Sequence, residues 1–160
     1  MDRAAVDPED EFAGPVHAPA GSAGYAGFWR RAVAIVIDTV VLMVVGWPLG
    51  LIPAVAVLTD RDLATTIGTI GAAVVARGLL SWLYFAGTES SGWQATLGKR
   101  AIGLRVTDSS GARIRFGRAS GRFFGKLLSG ALFGLGFVMA AFTARRQALH
   151  DLLAGTLVVR

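Results

Sequence analysis

The chain has 160 residues, of which 53% are hydrophobic and 17% are charged, and its net charge is +5. Both percentages are shifted from the averages of soluble proteins toward those of membrane proteins. The sequence contains no cysteine and only two histidines. This excludes disulfides, thiolate nucleophiles and metal sites built from cysteine or from several histidines.

The first 24 residues differ in composition from the rest of the chain. They carry five acidic residues against one arginine, together with three of the five prolines. A segment of this kind buries too little apolar surface to fold by itself. The sequence therefore predicts a disordered acidic tail at residues 1–24 and a single membrane domain at residues 25–160.

Two long apolar runs follow the tail, at residues 28–51 and 63–86. Each is at least as long as the stretch of about 20 mostly apolar residues that a helix needs to cross a bilayer. Pro48 and Pro53 predict a kink or an end of the first helix near residue 51. The chain is thus predicted to be an integral membrane protein of the all-α class.

Each apolar run has a charged residue inside it. Asp38 lies seven residues after Arg31, two helical turns along the same face, and Arg77 lies inside the second run. A charge at the centre of a bilayer costs about 2.5–3.5 kcal/mol on insertion scales, so such residues are usually paired or functional. Three interpretations remain open: an Asp38–Arg77 ion pair, an ion or proton site at Asp38, and snorkelling of Arg77 without a partner.

The region between the second and third apolar runs is strongly basic. Residues 87–126 contain half of the 16 lysines and arginines, which predicts a cytoplasmic location by the positive-inside rule. Arg30 and Arg31 predict that the N-terminus lies on the same side. Five residues of this region are predicted to contact anionic lipid headgroups, namely Lys99, Arg100, Arg105, Arg113 and Arg115.

Within this basic region, alternating residues predict a small cytoplasmic β-hairpin. Apolar side chains alternate with polar ones or glycine at residues 102–107 and again at residues 113–116, on either side of the turn-forming residues 108–111. The apolar face of the hairpin is expected to lie against the bilayer surface or the helix ends. If the C-terminus is cytoplasmic, residues 156–159 are able to add a further strand.

Small residues then recur at a spacing of four, which lets helices approach closely in a membrane. The predicted packing residues are Gly117, Gly121, Gly125, Gly130 and Gly134. A parallel stripe of Arg118, Arg122 and Lys126 predicts a helix that lies at the membrane interface before it enters the bilayer.

The third apolar run, at residues 127–143, is too short for its length to decide whether it crosses the membrane. A single crossing would export a tail that begins with Arg145 and Arg146, which the positive-inside rule disfavours. A re-entrant helical hairpin that turns at residues 134–136 would keep both ends inside. The sequence leaves both alternatives open, so the domain is predicted to have two or three transmembrane helices.

No catalytic set of residues is present in the sequence. Residues 96–100 depart from a phosphate-binding loop, because Arg100 and Trp93 occupy the positions of its Ser/Thr and its first glycine. His150 and Asp151 are neighbours but form no triad, and no nucleophile-elbow or HExxH motif occurs. We therefore expect no enzyme activity, no cofactor and no metal, and no nucleic acid partner for a basic region that lies between spans.

Three ordered motifs resemble the RDD family of small membrane proteins. They are RRAVAIVID, TLGKRAIGLRVTDSSG and RRQALHDLLAGTLVV. The family is named for one arginine and two aspartates, which correspond here to Arg31, Asp38 and Asp151. The resemblance implies a multi-span protein of the cell membrane whose activity is not settled, with sodium/proton exchange linked to some members.

These observations support two candidate functions. The glycine spacing favours a structural or accessory membrane component that self-associates or binds a membrane partner. The alternative is cation or proton transport that uses Asp38, which a chain of this length would perform as an oligomer.

Overall fold

The computed structural model describes residues 24–59 and 62–160. Apart from Gly24, the predicted acidic tail lies outside these described residues. The described chain forms six helices and two strands, in the following order: α1 (Phe28–Thr59), α2 (Leu63–Ser90), α3 (Leu97–Ala101), β1 (Arg105–Asp108), α4 (Phe116–Ala131), α5 (Leu135–Phe142), α6 (Leu149–Leu153) and β2 (Thr156–Val159).

Helices α1 and α2 are long and apolar enough to cross a membrane, with mean hydropathies of 2.3 and 1.6. The predicted end of the first helix near residue 51 is wrong, because α1 continues through Pro48 and Pro53 to Thr59. Proline is tolerated inside membrane helices when neighbouring groups satisfy the freed carbonyls. Helix α2 is capped at its N-terminus by Asp62, whose carboxylate accepts a hydrogen bond from the Thr65 amide at 3.0 Å. It ends at Ser90, beyond the predicted residue 86.

The third apolar run is bent. Helices α4 and α5 meet at an angle of 103°, and the turn between them places Phe133 (φ 53°) and Gly134 (φ 80°) in the left-handed region. Helix α5 then packs back on α4, where a Cβ atom at Gly136 would lie only 2.7 Å from Cβ of Ser129. The two helices therefore form either a broken span or a re-entrant loop.

A small two-stranded sheet lies at one end of the long helices. Strands β1 and β2 pair in antiparallel register, with Val106 opposite Val158, and Tyr25, just before α1, bridges to Val159. The start of α1 and the C-terminal strand consequently lie at the same end of the molecule.

The predicted small hairpin is present at this end. Asp108 Oδ1 accepts hydrogen bonds from the amides of Ser110 and Ala112 at 2.9 Å each, and the Thr107–Arg113 bridge closes the turn. The predicted second strand of the hairpin, at residues 113–116, stops where α4 begins at Phe116. The regular ladder of β1 therefore forms with β2, the additional strand that the sequence allowed. The apolar side of the sheet packs on helix ends through buried Ala86, Leu104, Val106, Ile114, Ala119 and Val158.

Candidate functional site

Asp151 lies at the centre of a buried set of charges. It is the third residue of the short helix α6, where its side chain accepts a hydrogen bond from the Ala148 amide at 3.2 Å. One carboxylate oxygen forms a close ion pair with Arg31 Nη1, and the other lies 2.7 Å from Arg122 Nη2. Burial alone would raise the pKa of Asp151, but the two guanidinium groups hold it well below its ordinary value.

Glu89, near the end of α2, supplies the second buried carboxylate. Its Oε1 atom lies 2.6 Å from Lys99 Nζ and 3.0 Å from Lys126 Nζ, while Oε2 lies 3.4 Å from Arg122 Nε. Burial lowers the pKa of Lys99 to about 7, against the attraction of Glu89. One carboxylate is therefore shared by three cationic side chains.

Arg122 joins these two carboxylates into one network. It is 1% exposed, and its Nη1 also donates a hydrogen bond to Thr156 Oγ1 at 3.1 Å, which ties α4 to β2. We call the six charged side chains the buried ionic cluster: Arg31, Glu89, Lys99, Arg122, Lys126 and Asp151. The cluster connects α1, α2, α3, α4 and α6, so it holds the membrane helices and the C-terminal segment together.

Asp38 lies outside this cluster and is held by neutral donors. It is 1% exposed; its Oδ1 accepts hydrogen bonds from the Tyr84 hydroxyl at 2.7 Å and the Gly98 amide at 2.8 Å. Its Oδ2 accepts a bond from Thr96 Oγ1 at 2.6 Å. Within residues 24–59 and 62–160, no basic side chain lies within ion-pair distance of Asp38.

The Asp38–Arg77 ion pair expected as one alternative is therefore wrong. Arg77 Nη1 instead donates to the backbone carbonyl of Gly46 at 3.0 Å. Gly46 lies eight residues beyond Asp38, which is about 12 Å of helical rise. Because α2 extends to Ser90, Arg77 lies deeper along the helix pair than the sequence indicated, and Asp38 is too shallow to meet it.

Two of the three residues that give the resembled family its name form an ion pair, and the third makes different contacts. Arg31 and Asp151, which are 120 residues apart in the chain, form an ion pair. Asp38 lies on the same face of α1 as Arg31 but docks on α3 instead. Both Arg31 and Asp38 line a cavity of about 440 Å³.

Of the five residues predicted to contact lipid headgroups, Lys99 is misassigned. It is 6% exposed because its ammonium group is drawn to Glu89. Arg105, Arg113 and Arg115 are exposed, and the exposed Arg100 lies 4.4 Å above the Trp93 ring. The basic stripe on α4 is likewise wrong in part, since Arg122 and Lys126 point into the cluster rather than toward an interface.

The predicted packing glycines divide into three groups. Gly125 packs on α6, where a Cβ would lie 3.0 Å from Cβ of His150, whereas Gly134 supplies the left-handed turn between α4 and α5. Gly117, Gly121 and Gly130 have no neighbouring atom within 4 Å of a Cβ position. A side chain at these three positions would therefore enter open space among the described residues.

Sequence reasoning missed several residues of the site, namely Tyr84, Glu89 and Thr96, together with the inward roles of Arg122 and Lys126. One signal was present for Glu89, which is the only acidic residue between Asp62 and Asp108 and stands beside the most basic region of the chain. A lone carboxylate in that position is expected to attract the nearby cations.

The chemistry of the site is that of fixed charges. Burial and the nearby Arg122 lower the pKa of His150 to about 3, so its imidazole is neutral and packs on the Phe137 ring with the ring centroids 5.1 Å apart. In the part of the chain that the structure describes, no group of three or more His, Cys, Asp or Glu side chains is placed to hold a metal ion. The arrangement is suited to holding helices together or binding an ion rather than to moving protons at His150.

Comparison with known proteins agrees with the sequence motifs. The "Uncharacterized protein YxaI" of Bacillus subtilis (strain 168) is 31% identical over 146 residues, which cover 84% of this chain and 96% of that protein. The "Uncharacterized membrane protein YteJ" of the same organism is 30% identical over 158 residues, covering 94% of this chain and 90% of that protein. No solved structure matches. A family model described as the RDD family matches residues 25–155, and the chain belongs to this family.

Proposed function

We propose that the protein is a non-enzymatic, accessory component of the membrane that self-associates through its helices. The observation that carries this proposal is the position of Arg77. It lies near the middle of the 28-residue helix α2, its side chain is exposed, and it donates a hydrogen bond to the Gly46 carbonyl. A guanidinium group has five N–H donors, so further donors of Arg77 have no partner among the described residues.

A second copy removes this cost by covering Arg77. An arginine in a span usually faces the interior of a helix bundle, because contact with lipid costs several kcal/mol at roughly the bilayer centre. The surfaces of α1 and α2 are otherwise apolar and open, and the open glycines Gly117, Gly121 and Gly130 let another helix approach closely. These features support a contact between copies of the chain.

Cysteine crosslinking tests the contact. Because the chain has no cysteine, a single one placed at Val74, one turn before Arg77 on its exposed face, reports on two copies. We expect a disulfide-linked dimer in oxidised native membranes, and Arg77→Leu should weaken association by at least roughly threefold, the effect of one average hydrogen bond between membrane helices.

Arg113→Leu is the matched control, because it removes the same charge outside the spans and should leave the dimer unchanged. Absence of the dimer in membranes and in every detergent would contradict self-association. A single adduct of another mass would contradict it as well and would identify a different membrane protein as the partner.

The proposal includes an orientation in the cell membrane. The start of α1 and strand β2 lie at the same end of the molecule, beside the exposed Arg105, Arg113 and Arg115. The positive-inside rule supports a multi-pass topology with this end in the cytoplasm, where these arginines contact anionic headgroups. A reporter fused after Arg160 tests the side, and an external location would contradict the orientation.

Cation or proton transport is the second candidate, and it is favoured because Asp38 has no cationic partner in the part of the chain that the structure describes. A buried carboxylate that lines a cavity and is held by neutral donors is free to exchange an ion. In reconstituted vesicles, Asp38→Asn should abolish sodium-dependent proton flux, whereas Asp108→Asn in the exposed turn should not. Transport is contradicted if the wild-type protein shows no flux or if Asp38→Asn retains it.

A further inference from the structure

The cavity beside the buried ionic cluster combines apolar walls with a cationic side. Its walls come from Phe28, Ile35 and Val36 of α1, Phe85 of α2 and Phe137 of α5. Four basic side chains of the cluster, Arg31, Lys99, Arg122 and Lys126, also line it. Its volume of about 440 Å³ lies within the range of about 300–1,000 Å³ that small-molecule sites occupy.

The ionisable groups that line this cavity are mostly basic. Four basic side chains of the cluster line it, whereas the two carboxylates of the cluster, Glu89 and Asp151, do not. Asp38 is the one carboxylate among the lining residues. An anion in the cavity would therefore meet several donors with positive charge and one carboxylate.

Donors remain free to bind such an anion. Nη2 of Arg31 is buried and has no hydrogen-bond partner within residues 24–59 and 62–160. The residue as a whole is 8% exposed. Lys126 Nζ contacts Glu89 Oε1 and lies 4.0 Å from the centroid of the Phe85 ring. Its side chain is 17% exposed, and an ammonium group has three donors. These two cations therefore reach the cavity from α1 and α4 with hydrogen-bonding capacity left over.

We propose that this cavity binds one membrane lipid through an anionic phosphate head, with its acyl chain along the apolar walls. The head bonds to Arg31 and Lys126, because both present donors that the protein itself leaves unused. The chain lies against Phe28, Ile35 and Val36, whose helix α1 continues into the bilayer. This site is separate from the exposed arginines of the hairpin, and the inference does not depend on self-association.

Binding is measured on the full-length protein in a nonionic detergent, by the change in tryptophan fluorescence and in thermal unfolding temperature. The probes are oleoyl lysophosphatidic acid, oleoyl lysophosphatidylcholine and inorganic phosphate. We expect the lysophosphatidic acid to bind at least about tenfold more tightly than the zwitterionic lipid, since charge-assisted hydrogen bonds contribute that much. Equal affinity for the two lipids would overturn the proposal, and equal protection by inorganic phosphate would overturn its lipid part.

Two variants test the location of the site. Lys126→Gln should weaken binding of lysophosphatidic acid about tenfold or more. Arg118→Gln, which removes a positive charge from an exposed position on the same helix, should not. Ala32→Phe fills the cavity without changing any charge and should abolish binding, which keeps the test decisive if Lys126→Gln does not fold. Equal losses for Lys126→Gln and Arg118→Gln, or full binding by Ala32→Phe, would overturn the proposal.

Discussion

Replacement of Asp151 by alanine should lower the free energy of unfolding by about 3–5 kcal/mol, the usual effect of removing one partner from a buried ion pair. The side chain is fully buried, and it is the carboxylate on which both Arg31 and Arg122 converge. Its loss leaves two guanidinium groups in a dry environment with one fewer counter-charge. Denaturant unfolding in mixed micelles, followed by circular dichroism, measures the change.

A double-mutant cycle separates the ion pair from general damage. Once Asp151 is absent, Arg31→Ala should cost much less than it does in the wild-type chain, because the cation has already lost its partner. Arg118→Ala is the matched control on α4. Arg118 is 48% exposed, lies 3.7 Å from Asp108, and should contribute no more than about 1 kcal/mol. Similar losses for Asp151→Ala and Arg118→Ala would contradict the structural role of the cluster.

The membrane helices were predictable because their signal is local. Length and apolar composition located α1 and α2, since any helix that spans a bilayer must have both. Their ends were not predictable to the same degree. Pro48 and Pro53 end helices in water, but α1 continues through them in a setting where leaving the helix would expose more backbone to lipid.

The strands and the bend required information from distant parts of the chain. The alternation around residue 108 correctly predicted a hairpin, but β1 takes its regular ladder from β2, some 50 residues later. Likewise, the glycines near residue 134 indicated a turn without indicating its direction. The direction is set by the packing of Gly136 on Ser129, a contact between side chain and backbone that no periodicity reports.

The candidate site was likewise predictable only where its signal is local in the sequence. The resemblance identified Arg31, Asp38 and Asp151, and the structure joins the first and last of these in one ion pair. The partners of Asp38 were not predicted, because its depth in the membrane was estimated from the predicted helix ends. Those ends lie several residues short of the observed ends of α1 and α2. Glu89 was visible as a lone acid, but its three partners come from two other helices, and only the tertiary fold brings them together.

Gly98→Ala should destabilise the protein by about 3 kcal/mol, the upper end of the usual range for overpacking. A Cβ at this position would lie 2.9 Å from both Cγ and Oδ1 of Asp38 and would clash with the backbone carbonyl of Ala34. A backbone atom inside a long helix cannot move aside, so α3 must separate from α1. That shift breaks the bonds that Gly98 and Thr96 donate to Asp38 and leaves a buried carboxylate with a single donor.

Gly87→Ala is the matched control for this change. Gly87 lies in α2, and a Cβ there has no atom within 4 Å, so the substitution should be neutral or stabilise the helix by up to about 1 kcal/mol. The two variants are compared by thermal unfolding in the same detergent. If they unfold at the same temperature, α3 does not dock on α1 through Asp38. A large difference would show that glycine is required here because the two helices touch backbone to backbone.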